Sequence, residues 1–203
     1  MAPKLVAMFI RHGETALNSE GKFRGNLDPD LNEDGKQQAK NLIPILGNRG
    51  INDVFTSGKK RSEQTAALAL PGRKPKIVKD FNSLDIGDFA GQPKDEENMK
   101  KIIHYQENPN EKIPGGESLN DFRKRVNPNI MTVIKRGQEK GRPSVAFVHS
   151  SVIHQIGHRL HGDHNYVKVK PGGIVGIYKT QNGYEAEPIY RNSHDEQDKH
   201  LVS

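Results

Sequence analysis

An unbroken apolar run, Leu5-Val6-Ala7-Met8-Phe9-Ile10, stops abruptly at Arg11-His12-Gly13-Glu14-Thr15. A short continuous apolar run with polar flanks reads as a buried strand. A second run, Ser144-Val145-Ala146-Phe147-Val148, stops in the same way at His149. Between them the spacing turns helical. Asn32-Glu33-Asp34-Gly35 opens a helix with Ala39, Leu42, Ile43 and Leu46 on one face; Gly47 and Gly50 end it, and Pro44 should kink it. A loop rich in Gly, Asn, Asp and Pro over 18–30 precedes that helix. Asp53-Val54-Phe55-Thr56 predicts a short strand, with Ser57 as N-cap of a helix over 59–70 that Pro71-Gly72 stops.

Ile77-Val78 predicts a third strand, 81–92 a loop, and 94–106 a polar helix. Pro114-Gly115-Gly116-Glu117-Ser118 leads into a helix whose buried face is Leu119, Phe122, Val126, Ile130, Val133 and Ile134, bent at Pro128. A helix over 151–161 follows the second apolar strand, and 167–170, 174–178 and 184–189 predict further strands. Strands alternating with helices predict an α/β fold: a three-layer sandwich with a mostly parallel central sheet flanked by helices, forming one domain over 1–190. The charged stretch 191–203 is expected to be a mobile tail. Ligands of such sheets bind beyond the carboxyl ends of strands, where His12 and His149 both fall.

Composition narrows the partner. The chain has 203 residues, 33% hydrophobic, and a net charge of +6; mean hydropathy is −0.80 and the isoelectric point about 9.4. The charge favours an anionic ligand. With aromatics at 6% and no RNA-binding signature or long basic run, a small phosphorylated molecule fits better than nucleic acid. The absence of cysteine excludes disulfides, cysteine-ligated zinc and phosphatases that work through a thiolate. No secretory leader and no bilayer-length apolar run is visible, so a cytoplasmic protein is expected, without membrane attachment. Oligomeric state is not legible.

Arginine offers a fork of donors to phosphate oxygens, and a neutral imidazole can attack phosphorus. His12 is the candidate nucleophile, with Arg11 as the first clamp. Arg61, in the first turn of its helix, is the second. His149 is a third donor, protonated beside a dianion, and Asn18 offers an amide N–H.

These segments resemble the histidine phosphatase superfamily, in its phosphoglycerate-mutase-like branch of small phosphatases and mutases. Arg11-His12-Gly13-Glu14-Thr15 with Asn18 resembles the signature loop, and Leu31-Asn32-Glu33-Asp34-Gly35 the helix start after it. Thr56-Ser57 with Arg61 and Gln64-Thr65-Ala66 is similar to the segment of the second arginine; Pro114-Gly115-Gly116-Glu117-Ser118 resembles a loop of phosphatase members, and His149 falls at the second histidine. The resemblance implies attack by His12, a phosphohistidine held by Arg11, Asn18, Arg61 and His149, hydrolysis by water, and no metal or other cofactor. Family mutases that act on phosphoglycerate are usually longer, so the length favours hydrolysis.

Two departures stand out. Where the family carries the glutamate that serves as general acid and base, this chain has Ser83, whose hydroxyl cannot replace a carboxylic acid. Asp85 is the first substitute, Asp88 and Glu117 weaker ones. Without such help the chain would favour esters or anhydrides that leave easily, or act as a weakly active or inactive phosphate-binding module. Ser150 follows His149 where glycine is usual, and either adds a hydroxyl donor to the phosphate site or crowds it. His154, His158 and His161 share one helical face, with His164 beyond; such spacing can bind zinc, but no carboxylate or cysteine completes a site, and a solvent-facing polar stripe is the expectation.

Overall fold

The computed structural model describes residues 2–192; the expected tail lies outside them apart from Arg191 and Asn192. Six strands form one mixed sheet in the order β3-β2-β4-β1-β5-β6. They are β1 (Lys4–Arg11), β2 (Val54–Thr56), β3 (Lys76–Ile77), β4 (Ser144–Val148), β5 (Ile174–Thr180) and β6 (Gly183–Tyr190). The first four are mutually parallel. β5 runs antiparallel to β1, and β6 to β5.

Alternate residues of the central strands serve opposite layers. On one face Phe9, Ala146 and Val148 pack against Phe122, Val126, Ile130 and Ile134 of α6 (Leu119–Lys140) and Val152 and Ile156 of α7 (Ser150–His161). On the other face Met8, Ile10, Val145 and Phe147 meet Leu42, Leu46 of α3 (Ile43–Gly47), and Ala66 and Ala69 of α4 (Lys60–Ala69). Burial on both sides explains why β1 and β4 read as continuous apolar runs. Phe23, Ile86, Ile102 and Ile113 form a satellite cluster that ties the loop after β1 to α5 (Glu96–Glu107).

Several expectations need correction. The helix after Asn32 divides into α2 (Glu33–Lys40) and α3, because Pro44 has no N–H for an interior turn and sits instead at the start of a new helix. The loop over 18–30 is shortened by α1 (Ala16–Ser19). The third strand is Lys76–Ile77, a residue earlier than expected, and α5 starts at Glu96, where the Asp95 side chain caps it. α6 runs through Pro128 as one helix, between a Ser118 N-cap and a left-handed Gly141 C-cap. Residues 167–170 are not a strand. Their Val-x-Val alternation mimics one, but the place beside β1 is taken by β5, and the Val169 carbonyl accepts from Arg11 Nη1 at 2.9 Å.

α6 crosses β1 so closely that a methyl group at Gly137 would overlap the Val6 carbonyl oxygen. The backbones on both sides leave no room to relax. Gly137→Ala is therefore expected to destabilise the fold by about 1–3 kcal/mol or more. Urea unfolding would read this as a lowered midpoint at unchanged slope; an unchanged midpoint would mean that α6 can shift off the sheet.

Candidate active site

β1 and β4 are parallel and in register, with Arg11 opposite Val148. The next residue of each strand therefore leaves the sheet at the same level. The His12 N–H still donates to the Val148 carbonyl at 3.0 Å. The two imidazoles come to 5.2 Å between ring centroids at 62°, both essentially without solvent exposure. β2 ends one step further along the sheet, and Ser57 after it brings Oγ to 2.8 Å from His149 Nε2.

The tautomer of His12 follows from its partners. Nδ1 lies 2.7 Å from the Gly13 carbonyl, which can only accept, so the proton is on Nδ1. Nε2 is then a bare lone pair, and it accepts from Arg61 Nε at 3.2 Å. Burial holds the His12 pKa well below 6.5; Arg24, then His149, Arg61 and Arg11, push the same way. His12 is a neutral ring with its outer nitrogen unprotonated.

His149 is oriented by a chain of hydroxyls. Ser62 Oγ donates to the Lys59 carbonyl at 2.9 Å, so it can only accept from Ser57 Oγ at 2.8 Å. With its proton spent there, Ser57 accepts from His149 Nε2–H. Nδ1 of His149 is therefore bare, buried and without a hydrogen-bond partner among the described residues. Burial, with the charges of Arg61 and Arg24, holds this pKa well below 6.5 as well. Ser57 is thus not the N-cap of α4, whose N-cap is Lys59; the hydroxyl serves the histidine instead.

Arg61 is fully buried and is held by carbonyls more than by charge. Nη1 donates to the Leu27 carbonyl at 2.7 Å and lies 3.4 Å from Asp28 Oδ1. Burial lowers its pKa to about 10. Arg11 donates from Nη1 to Val169, while its buried Nε has no partner among the described residues; burial, then Arg24, lowers its pKa to about 9. The signature loop is clamped from two sides. Gly13 N–H donates to Thr65 Oγ1 at 3.0 Å, and a side chain at Gly35 would overlap the Glu14 backbone.

The remaining candidates divide. Asn18 Oδ1 accepts from Thr15 N and Oγ1 at 3.1 and 3.0 Å, which leaves Nδ2 as its unengaged donor. Ser150 is the first residue of α7, next to His149. Ser83 shares a hydrogen bond with Ser151 (3.1 Å) and makes none to either central histidine. Asp85 accepts from Gly87 N–H at 3.1 Å and lines a hollow of about 260 Å³ with Asn82, Glu117 and Arg125; it makes no contact with His12, Arg11, Arg61 or His149 among its hydrogen bonds. Glu117 is tied up by Arg125 at 2.5 and 2.9 Å, and the same guanidinium holds the carbonyls of Asp80, Asn82 and Ser83.

Sequence reasoning missed Arg24. Its Nη1 is buried with no partner among the described residues, and burial lowers its pKa to about 10. Its charge is the largest acting on Arg11, His12 and Arg61. A lone arginine in a polar loop carries no periodicity or motif; the one usable signal was Phe23 beside it, an aromatic that a solvated loop has no reason to hold.

The histidines of α7 are not the solvent-facing stripe expected of them. His158 and His164 stack at 4.1 Å between ring centroids, and Arg123 Nη2 donates to both, at 3.4 and 2.8 Å. His161 accepts from Ala186 N–H and stacks on Tyr166. No group of three or more histidine or acidic residues among the described residues is arranged to hold a metal ion, and no helix there is long and apolar enough to cross a membrane.

Comparison with known proteins agrees with this geometry. The sequence profile of the histidine phosphatase superfamily (branch 1) matches residues 7–169. A 2,3-bisphosphoglycerate-dependent phosphoglycerate mutase of Bradyrhizobium sp. strain BTAi1 is 30% identical over 167 residues, covering 77% of this chain and 80% of the mutase. Phosphoserine phosphatase 1 of Hydrogenobacter thermophilus is 32% identical over 136 residues, 64% of each chain. The fold matches that of a mycobacterial glucosyl-3-phosphoglycerate phosphatase in complex with VO3, with a TM-score of 0.76 at 21% identity, over 92% of this chain and 98% of that one.

Two rings buried neutral have a thermodynamic consequence. Unfolded imidazoles take a proton near pH 6.5, whereas His12 and His149 resist it when folded. As pH falls below 6.5 the unfolded state binds more protons, and stability is lost. The protein is therefore expected to be measurably less stable at pH 5.5 than at pH 7. Urea unfolding at both values measures it; equal stability would show that the rings accept protons in place.

Proposed function

The chain belongs to the histidine phosphatase superfamily, and from that premise we propose that it hydrolyses a small phosphorylated molecule through a phosphohistidine on His12, with no metal ion. The observation that carries this reading is the state of His12: Nδ1–H fixed on the Gly13 carbonyl, Nε2 unprotonated, and guanidinium groups around it. A neutral nitrogen is the form that attacks phosphorus, and preset cations stabilise charge on the phosphoryl oxygens as it moves.

In this reading the phosphoryl group enters between the two imidazoles and takes Arg61 Nε away from His12. Arg11, through its unpartnered Nε, Arg61 and Asn18 Nδ2 donate to its oxygens. His149 gains a proton beside the dianion, and its bare Nδ1 becomes a donor. Ser150, at the start of α7, adds its hydroxyl or the positive end of the helix. Water then attacks the phosphohistidine and releases inorganic phosphate.

Mutase chemistry is the second reading, favoured by the Bradyrhizobium relative. That mutase and this chain align over similar shares of each, so length does not separate the two readings. A 2,3-bisphosphoglycerate-dependent isomerisation assay does.

Acid-quench trapping with a labelled substrate should place phosphate on His12, and His12→Ala should lower kcat by at least about 10³-fold. Retained turnover in that variant removes the mechanism. A blank screen across sugar phosphates, nucleotides, phosphoamino acids and pyrophosphates would instead leave a phosphate-binding module.

With Ser83 where the family has its acid and Asp85 bonded to Gly87, the leaving group departs without a strong proton donor. Turnover should therefore fall steeply with leaving-group pKa across a series of aryl and alkyl phosphates, and Ser83→Glu should flatten the dependence, gaining up to about 10²-fold on the poorest leaving groups. A shallow dependence in the parent protein that steepens in Asp85→Asn would return the role of acid to Asp85.

A further inference from the structure

A hollow of about 480 Å³ lies where α6, α7 and the loop before α6 meet. Arg123, Lys124, Asn120 and Asn127 border it from α6, Arg159 from α7, and Asn110 from the loop. None of these belongs to the reaction centre, and Arg159 lies about 14 Å of helix rise beyond Ser150 along α7. The volume falls within the roughly 300–1,000 Å³ of sites that hold small organic molecules.

Its polar lining is one-sided. Asn110 Oδ1 accepts from Asn120 Nδ2 at 2.6 Å, Asn120 Oδ1 from Arg123 Nη1 at 2.9 Å, and Asn127 Oδ1 from Gln155 Nε2 at 2.9 Å. The amide oxygens are thus spent on the protein's own donors, and Nδ2 of Asn110 and of Asn127 is left over beside the cations. No carboxylate lines the hollow. Of its three cations only Lys124 has an acidic partner among the described residues, Asp121 at 3.4 Å on the same helix.

Arg123 is braced from behind but not neutralised. Nη2 donates to His158 and His164, rings whose pKa values burial holds below the usual histidine range. Its Nε is buried and has no partner among the described residues. A concave wall lined by one sign of charge concentrates the potential felt by an anion, and an orphaned buried donor calls for an acceptor. Pro128 and Met131 add an apolar wall, and a thioether packs well against a planar ring.

We propose that this hollow is a binding site, separate from the phosphohistidine centre, for a nucleoside polyphosphate: the phosphate chain lies across Arg123, Lys124 and Arg159, and the nucleoside rests against Pro128 and Met131. Guanidinium forks grip phosphate oxygens in pairs, and the free asparagine amides meet the oxygens that remain. The cations come from two helices, which a chain of phosphates bridges and a single phosphate does not. Free polyphosphate would leave the apolar wall uncovered, and a nucleic acid strand would need a groove rather than a bounded hollow. The site does not depend on His12 being a nucleophile.

Calorimetry on His12→Ala, chosen so that no nucleotide is turned over there, compares ATP with inorganic tripolyphosphate. ATP should bind more tightly. Lys124→Gln combined with Arg159→Gln, both at exposed positions, should weaken ATP by about 10–100-fold, the worth of one or two charge-assisted contacts. The urea midpoint of the combined variant should match that of its parent, so that the loss is not one of folding. Met131→Ala should weaken ATP several-fold and leave tripolyphosphate unchanged. ATP affinity untouched by the paired substitution, as binding at the reaction centre alone would give, overturns the proposal. So does the absence of binding heat at millimolar ATP, or tripolyphosphate that matches ATP. A single-stranded RNA that binds more tightly than ATP, and loses this advantage in the paired variant, overturns it in favour of a nucleic acid surface.

Discussion

The register of β1 against β4 governs the whole centre. Because the strands are parallel and Arg11 lies opposite Val148, two histidines more than a hundred residues apart emerge side by side. A slip of one residue would turn Phe9, Met8 and Ile10 to the wrong layers and separate the rings. The apolar core and the reaction centre are therefore fixed by the same pairing. The alternating burial that holds the sheet between α6 and α4 also holds the 5.2 Å spacing of the imidazoles. The close approach of α6 to β1 at Gly137 lies under the strand that leads to His12.

On that scaffold the polypeptide gathers the guanidinium groups of Arg11, Arg24 and Arg61, with Asp28 beside Arg61 as their one ion-pair carboxylate among the described residues. Burial of a cation costs less when carbonyl oxygens solvate it, and the carbonyls of Leu27, Gly25 and Val169 do this for Arg61 and Arg11. Coulomb repulsion among the cations is softened but not removed. Burial, with those charges added, holds both histidines neutral; under the proposed reading a phosphoryl dianion between them would turn that repulsion into attraction. His149 would then respond most, since its Nδ1 has no hydrogen-bond partner among the described residues. His12 is restrained by Gly13, which keeps the proton on the inner nitrogen in either state.

Much of this was legible in the sequence because abrupt endings of apolar runs have few meanings. Arg11, His12 and His149 followed from strand ends, and Arg61 from the first turn of a helix. What escaped did so for identifiable reasons. A serine ahead of a helix can cap it or serve a neighbour, and only the tertiary structure shows that Ser57 orients His149. Residues 167–170 alternate like a strand, yet the Val169 carbonyl serves Arg11. Arg24 has neither spacing nor motif around it; its place depends on a cluster formed by residues from three separate loops and helices. The turn at Gly87 that the Asp85 carboxylate closes was likewise not visible in the sequence.

The serine at position 83 changes what kind of chemistry the centre can support. A carboxylic acid there would let the protein accept leaving groups of any basicity, since the proton travels with the bond that breaks. Ser83 is instead engaged with Ser151, and its carbonyl is held by Arg125, which also neutralises Glu117. The segment that could have carried the acid is thus braced as structure. Proton donation and electrostatic stabilisation are alternative ways of handling the same negative charge on a departing oxygen. Under the proposed reading, with Ser83 bonded to Ser151 and Asp85 to Gly87, the site relies on the second way, which favours leaving groups that are stable as anions.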